Sequence, residues 1–326
     1  MDSSTLEVFR AKFWLNPVLF LEVSRIKSGV SKCVMPQRVF EPDFSVYETL
    51  NIQFTRFVNG DIDIEELFEV TEIIEEKALK SVDPAILTVI SELDLEIIPT
   101  VAFTNRVLSR EVFYPEIQFF VSRTPGDYAK RLKKLEKKIL EGKIEFGQGK
   151  EKLVRIEGEL LGYPKCCIDG YVESKRTFPA ESRLVVECIE RGIFDSVVKA
   201  FKKSQIISVP QFFTSNFYPC SVECENASRI GLELEEWLEE FANAFRIRSM
   251  VNALYYLITG YKATRVKGSY GERLRVYYSR LGSEDRGVIK AVEPHIGNLT
   301  QFTNIFISRI LKGFSNQSKT GENQKD

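Results

Sequence analysis

The chain carries a single histidine, two tryptophans and three methionines in 326 residues. One imidazole, His295, cannot assemble a three-histidine zinc site, an HExxH helix or a two-histidine, one-carboxylate iron triad. A Ser-His-Asp or Cys-His mechanism would have to run through His295, and its Pro294-His295 turn suits a capping or hydrogen-bonding side chain above all. No GxxxxGKS/T loop and no GxGxxG turn after a strand is present, so a standard nucleotide-binding fold is not indicated. The longest apolar runs, 14–23 and 251–258, stop short of the roughly 20 residues a bilayer-spanning helix needs. Met1-Asp2-Ser3-Ser4 is polar and acidic where a secretory leader would be basic and then apolar, so a cytoplasmic protein with no membrane segment is expected. A net charge of −1 leaves any nucleic-acid binding to a local patch.

What is present is the balance of a folded protein, 44% hydrophobic and 28% charged, in a chain long enough to bury a core. Helical spacing over 5–27, interrupted by Pro17, predicts two short helices or one bent one. A helix capped by Asp61 is predicted over 61–79, and Asp83-Pro84 opens another. The β-branched and aromatic runs 97–103 and 116–122, with Pro99 and Pro115 at their margins, predict edge strands of a small sheet. Residues 127–141 predict a helix whose Lys130, Arg131, Lys133, Lys134, Lys137 and Lys138 form its wet side, stopped by Gly142. Gly147-Gln148-Gly149 marks the expected boundary between a mixed domain, 1–146, and a helix-rich domain, 147–312. Within the latter, helices are predicted over 153–161, 165–174, 180–192, 193–203, 221–245, 247–259 and 300–311, and a hairpin over 273–281 and 287–293. Residues 313–326 read as a disordered polar tail. The fold class is therefore α+β and helix-dominated, with a small sheet in the N-terminal half and the cysteines in a helical C-terminal half.

Six cysteines are the distinctive chemistry: Cys33, Cys166, Cys167, Cys188, Cys220 and Cys224. In a reducing compartment they point to metal, redox or burial rather than structural disulfides, hyperthermophiles excepted. Gly162 suits the left-handed end of one helix and Pro164 the start of the next, placing Cys166 and Cys167 in a first turn. Pro219 is expected to do the same for Cys220, with Cys224 one turn later on the same face. Thiols at helix starts are favoured as thiolates by free N–H groups and the helix dipole. An adjacent pair and a pair spaced by three residues fit zinc knuckles poorly, so an iron–sulfur cluster is the first metal indicated, with zinc behind it. Two blander readings stand beside it: a disulfide, or burial on the apolar stripe that Cys220 and Cys224 share with Ala227, Ile230 and Leu234. Cys188 and Cys33 read as core.

The run Gly-Glu-Leu-Leu-Gly-Tyr-Pro-Lys-Cys-Cys-Ile (158–168), followed by Phe-Phe-Thr-Ser-Asn-Phe-Tyr-Pro-Cys-Ser-Val-Glu-Cys (212–224), resembles the signature of an uncharacterised, mostly archaeal family, a domain of unknown function. The resemblance implies that the four cysteines belong to one pattern, in an archaeal cytosol. It supplies no reaction.

Charge is segregated: acids crowd 61–96, whereas 246–290 is basic and rich in tyrosine. Cations beside aromatic rings suit RNA or a nucleotide, with Arg273, Arg275 and Tyr277 as the candidate contacts. The competing reading pairs the acidic and basic regions within the fold or across a homodimer. The sequence thus predicts a metal-binding, iron–sulfur protein with a redox or accessory role. Its alternatives are an RNA- or nucleotide-binding module with structural zinc, and a non-catalytic protein with buried or disulfide-linked cysteines.

Overall fold

A computed structural model describes residues 1–36, 39–40, 42–107, 110–174, 180–203, 205–214, 217–265 and 269–293, with Thr303 and Ile307. His295, the tail 313–326 and, but for Thr303 and Ile307, the closing helix expected over 300–311 lie outside the described residues. The chain forms two compact units, the first from residues 2–15 and 25–163, the second from Met1, 16–24 and 164–326. In chain order the elements are α1 (Ser3–Lys12), α2 (Pro17–Lys27), β1 (Cys33–Val34), α3 (Phe44–Asn59), α4 (Ile64–Lys80), α5 (Pro84–Glu92), β2 (Glu96–Val107), β3 (Arg110–Ser122), α6 (Pro125–Leu140) and α7 (Phe146–Leu160). There follow α8 (Lys165–Ser174), α9 (Ala180–Glu190), α10 (Ile193–Lys202), α11 (Glu225–Leu238), α12 (Ala242–Ala263), α13 (Ser269–Ser279) and α14 (Ser283–Val292). This is a helix-dominated α+β architecture with one small antiparallel sheet in its N-terminal half.

Local signals set the ends of several helices. Pro17 begins α2, and Asp83 caps α5 with Pro84 at its first position. The cap of α4 is Asp63, two residues later than the sequence suggests, because Asp63 and Glu66 complete a reciprocal capping box. In the sheet, ordered β1-β3-β2, β3 is central and β2 is an edge strand. The register slips between Ala102 and Thr104, so Tyr114 and Pro115 on β3 face the single residue Phe103: the proline sits in a bulge, where no ladder bond is lost. On β2, the Val101 N–H is accepted by Glu75 Oε1 of α4 at 2.8 Å. Pro99 shares the parity of Val101, so its missing N–H also points away from β3. At the bulge, the Thr104 N–H and hydroxyl are accepted by the buried Glu136 of α6, the hydroxyl at 2.6 Å. Two of the six basic residues of α6 are engaged, Lys133 with Glu75 and Lys137 with Glu65. Leu132 and Ile139 on its opposite face pack with Phe120, Leu153 and Leu160 into the unit's core.

In the second unit, α12 is buried along nearly its whole length, and Met250, Leu254, Leu257 and Ile258 join residues of α9, α10, α13 and α14 in one cluster. Its Gly260 admits the Tyr278 hydroxyl and Val185, which a β-carbon there would displace.

Two local expectations are corrected. The predicted hairpin over 273–281 and 287–293 is instead the helix pair α13 and α14, with Gly282 capping the latter. Leu274, Tyr278 and Leu281 are buried at helical spacing, and that packing overrides the strand preference of the aromatic run. The helix expected over 221–245 begins only at Glu225 and breaks at Glu239, which adopts a φ of 49°. Gly147-Gln148-Gly149 lies within the first turn of α7, where Gly149 lets that turn approach Ile139 closely. Helix α3, not anticipated from the sequence, covers residues 44–59.

Candidate metal centre

Helix α7 ends as its sequence suggests. Gly162 takes a φ of +69°, its N–H reaches the Glu159 carbonyl at 3.2 Å, and the Tyr163 N–H reaches that of Gly158 at 2.9 Å, a Schellman closure. A β-carbon at Gly162 would strike the Val30 carbonyl oxygen. The Pro164 carbonyl then accepts from the N–H groups of Cys167 and Ile168, opening α8 with Cys166 and Cys167 in its first turn.

The second pair arrives differently. Residues 217–224 form an irregular segment, and Cys224 is the cap of α11, so the expectation that Cys220 and Cys224 lie one helical turn apart is corrected. The backbone donors of this segment go to tertiary partners instead of a helical ladder. The Val222 N–H goes to Glu187 Oε2 at 2.9 Å and the Cys220 N–H to Cys167 Sγ at 3.3 Å. The Phe217 carbonyl accepts from the buried Tyr256 hydroxyl at 2.9 Å, and Tyr218 stacks on Tyr171 of α8 with centroids 5.7 Å apart. Gly170, one turn beyond Cys166, lets the segment close in, because a β-carbon there would stand 3.0 Å from Cys220 Cβ.

The four sulfurs converge. Sγ of Cys167 and Cys224 lie 3.5 Å apart, Cys166 lies 3.8 Å from each of them, and all four fall within 4.8 Å of one another. No disulfide joins them, since all six cysteines are free. Cys167 and Cys224 are 2% and 7% exposed, Cys220 is half-buried and Cys166 is exposed. Burial raises the Cys167 thiol far above its ordinary value and lifts Cys220 to about 11. Burial acts the same way on Cys166, but hydrogen bonds from Asn226 and from the Cys224, Cys167 and Cys220 thiols outweigh it and bring that thiol below its ordinary value. Four soft sulfur donors within 4.8 Å of one another, with an N–H donor already aimed at one of them, can hold a metal ion. Cys33 and Cys188 take no part: both are fully buried, and burial pushes the Cys33 thiol up to about 12.

The nucleotide or RNA candidates lie elsewhere, on α13. Arg275 is exposed and 3.8 Å from Glu272, and the Tyr277 ring stacks under the Arg280 guanidinium, whereas the side chain of Arg273 lies outside the described residues. Much of the basic segment is neutralised internally: Arg246 pairs with Glu235, Arg248 with Glu22 and Arg265 with Glu293. Sequence reasoning missed Gly170 and Asn226, whose Nδ2 donates to Cys166 Sγ at 3.5 Å. An isolated glycine inside a helix was the available signal for the first; none pointed to the second.

Geometry thus defines a helix-rich protein with a four-thiol site on two helix starts and the segment between them. The chain belongs to a family described as a protein of unknown function, DUF483, whose model matches residues 68–252, more than half of the chain and including all four cysteines. No curated protein and no solved structure matches it. Among the described residues, no helix is long and apolar enough to cross a membrane.

Proposed function

We propose that the second unit is a metal-binding module in which Cys166, Cys167, Cys220 and Cys224 hold one tetrahedral ion, zinc, as a structural centre. The observation that carries this reading is the separation of the sulfurs. Metal–sulfur bonds of about 2.3 Å in a tetrahedron place the sulfurs roughly 3.8 Å apart, the spacing a single shared zinc imposes. Contacts of 3.5 and 3.8 Å within a 4.8 Å group match it. A 4Fe–4S cluster bonds each thiolate to a different iron and holds the sulfurs farther apart, so the iron–sulfur reading of the spacing would need this group to open. Zinc is also retained more tightly than ferrous iron by a given donor set.

Four thiolates around a divalent ion leave a net negative centre. The Cys220 N–H, the Asn226 amide and the N-terminal ends of α8 and α11 supply the compensating dipoles. The ion would tie α8, the segment 217–224 and α11 together. Metal and acid-labile sulfide analysis of protein purified without oxygen tests the proposal: one zinc per chain without sulfide is expected, and iron with matching sulfide would return the assignment to a cluster.

A further inference from the structure

We infer that Cys166 is an oxidative modification site of this centre, reacting with hydroperoxides and closing a disulfide with Cys224 that expels the metal. The inference rests on the metal-centre reading above and specifies the reactive sulfur, its oxidant and the product. Of the six cysteines only Cys166 is exposed, while Cys33, Cys167, Cys188 and Cys224 are buried and Cys220 is half-buried. A peroxide diffusing from solvent therefore meets one sulfur first, and that sulfur would already be held as a thiolate by the ion.

The geometry also selects the second sulfur. Cys167 and Cys224 each stand 3.8 Å from Cys166 Sγ. Cys167 is its neighbour within the first turn of α8, where a disulfide between adjacent residues would close a small ring that helical backbone does not accommodate. Cys224 belongs to another segment and caps α11 with a main-chain carbonyl bonded to the Ser228 N–H, so its side chain can turn without unwinding the helix.

The chemistry balances in two steps. The Cys166 sulfur attacks the outer peroxide oxygen, the O–O bond breaks, and sulfenic acid forms as the alkoxide leaves and takes a proton from water. Cys224 sulfur then attacks the sulfenic sulfur, the S–O bond breaks, and the oxygen leaves as water. Two thiolates, one hydroperoxide and two protons give one disulfide, one alcohol and one water, and hydrogen peroxide gives water in place of the alcohol. Two of four ligands are then lost, and Cys167 and Cys220 alone do not retain the ion. Asn226 acts as a positioning residue, because its amide donates to Cys166 Sγ and holds electron density that would otherwise attack.

The test uses the full-length, zinc-loaded protein with hydrogen peroxide, following released zinc with a chromogenic chelator and mapping disulfides without reduction. One zinc released per Cys166–Cys224 disulfide, reversed by dithiothreitol and added zinc, is expected. Asn226→Ala should react ~5-fold faster, the loss of one hydrogen bond, and Cys188→Ser should react as the parent does. Zinc that stays bound under peroxide, or a disulfide joining Cys167 to Cys220, would overturn the inference and leave the metal reading standing. Conversely, a metal-free preparation in which iodoacetamide still alkylates Cys166 first would sink the metal reading and keep the reactive-thiol assignment.

Discussion

Cys167 Sγ and Cys224 Sγ touch at 3.5 Å across 57 residues of chain, and both are buried. A metal bonded to both is a cross-link of the kind a long-loop disulfide provides, and loop-closure entropy for that span is worth about 4 kcal/mol. Removing the ion with a strong chelator under reducing conditions should therefore lower the thermal midpoint by several degrees, and re-adding zinc should restore it. Cys167→Ser should lose metal altogether, since that sulfur also accepts the Cys220 N–H, whereas exposed Cys166→Ser should retain zinc at reduced affinity. Equal affinities in the two variants would contradict this ranking.

Gly170→Ala tests the close approach. A methyl group 3.0 Å from Cys220 Cβ must push the 217–224 segment outward. Helix propensity favours alanine by about 1 kcal/mol, so helicity by circular dichroism should hold or rise while zinc affinity, read by chelator competition, falls ~10-fold. Unchanged affinity would mean that the segment yields without moving its sulfur.

Glu136 makes the first unit sensitive to pH. Burial raises its carboxyl above the ordinary range, against the Thr104 hydrogen bonds and the charge of Lys150. Between the ordinary and the raised value the folded chain holds more protons than the unfolded one, so stability is full below that window and declines as pH rises through it. Urea midpoints should therefore be higher at pH 5 than at pH 7. Glu136→Gln keeps an acceptor for Thr104 and should flatten that slope; a slope identical to that of the parent protein would refute the assignment.

Arg248 lies in the basic segment but is 3% exposed, bonded through Nη2 to Glu22, which is 1% exposed and also accepts the Thr214 hydroxyl at 2.9 Å. Arg248→Ala strands that carboxylate and should cost about 3–5 kcal/mol in urea unfolding. Replacing both partners, Glu22→Leu with Arg248→Met, should recover most of it. A double variant as unstable as the single one would assign the loss to packing.

The cysteine site was legible where its signals are local. Gly162 and Pro164 announce a helix end and a helix start through backbone preferences alone, so the placement of Cys166 and Cys167 follows from sequence. Cys220 was misplaced because the stripe Cys220, Cys224, Ala227 continues a helical period, while the bonds that hold it in a turn come from Glu187 and Cys167, more than thirty residues away. The α13–α14 pair was misread for a related reason: Val276, Tyr277 and Tyr278 favour strands, and only the packing of Leu274, Tyr278 and Leu281 makes them helical. Pro99 was informative about the sheet because its missing N–H restricts position, whereas Pro115 suggested an edge strand and lies instead at a bulge of the central β3, which corrects that expectation. Which ion four sulfurs prefer is a matter of distances that no spacing along a chain contains.

Glu75 and Glu136 occupy more than a place in the acid balance. The edge of β2 offers main-chain donors on which a strand from another molecule could add, and an uncapped strand of 12 residues is a template for fibre growth. On that outer side the Glu75 carboxylate of α4 already accepts from Val101, and at the bulge Glu136 of α6 accepts from Thr104, so an incoming strand would find its first donor taken. Burying those acids makes folding less favourable at neutral pH, and what they cover is sheet backbone on which a second strand would otherwise add.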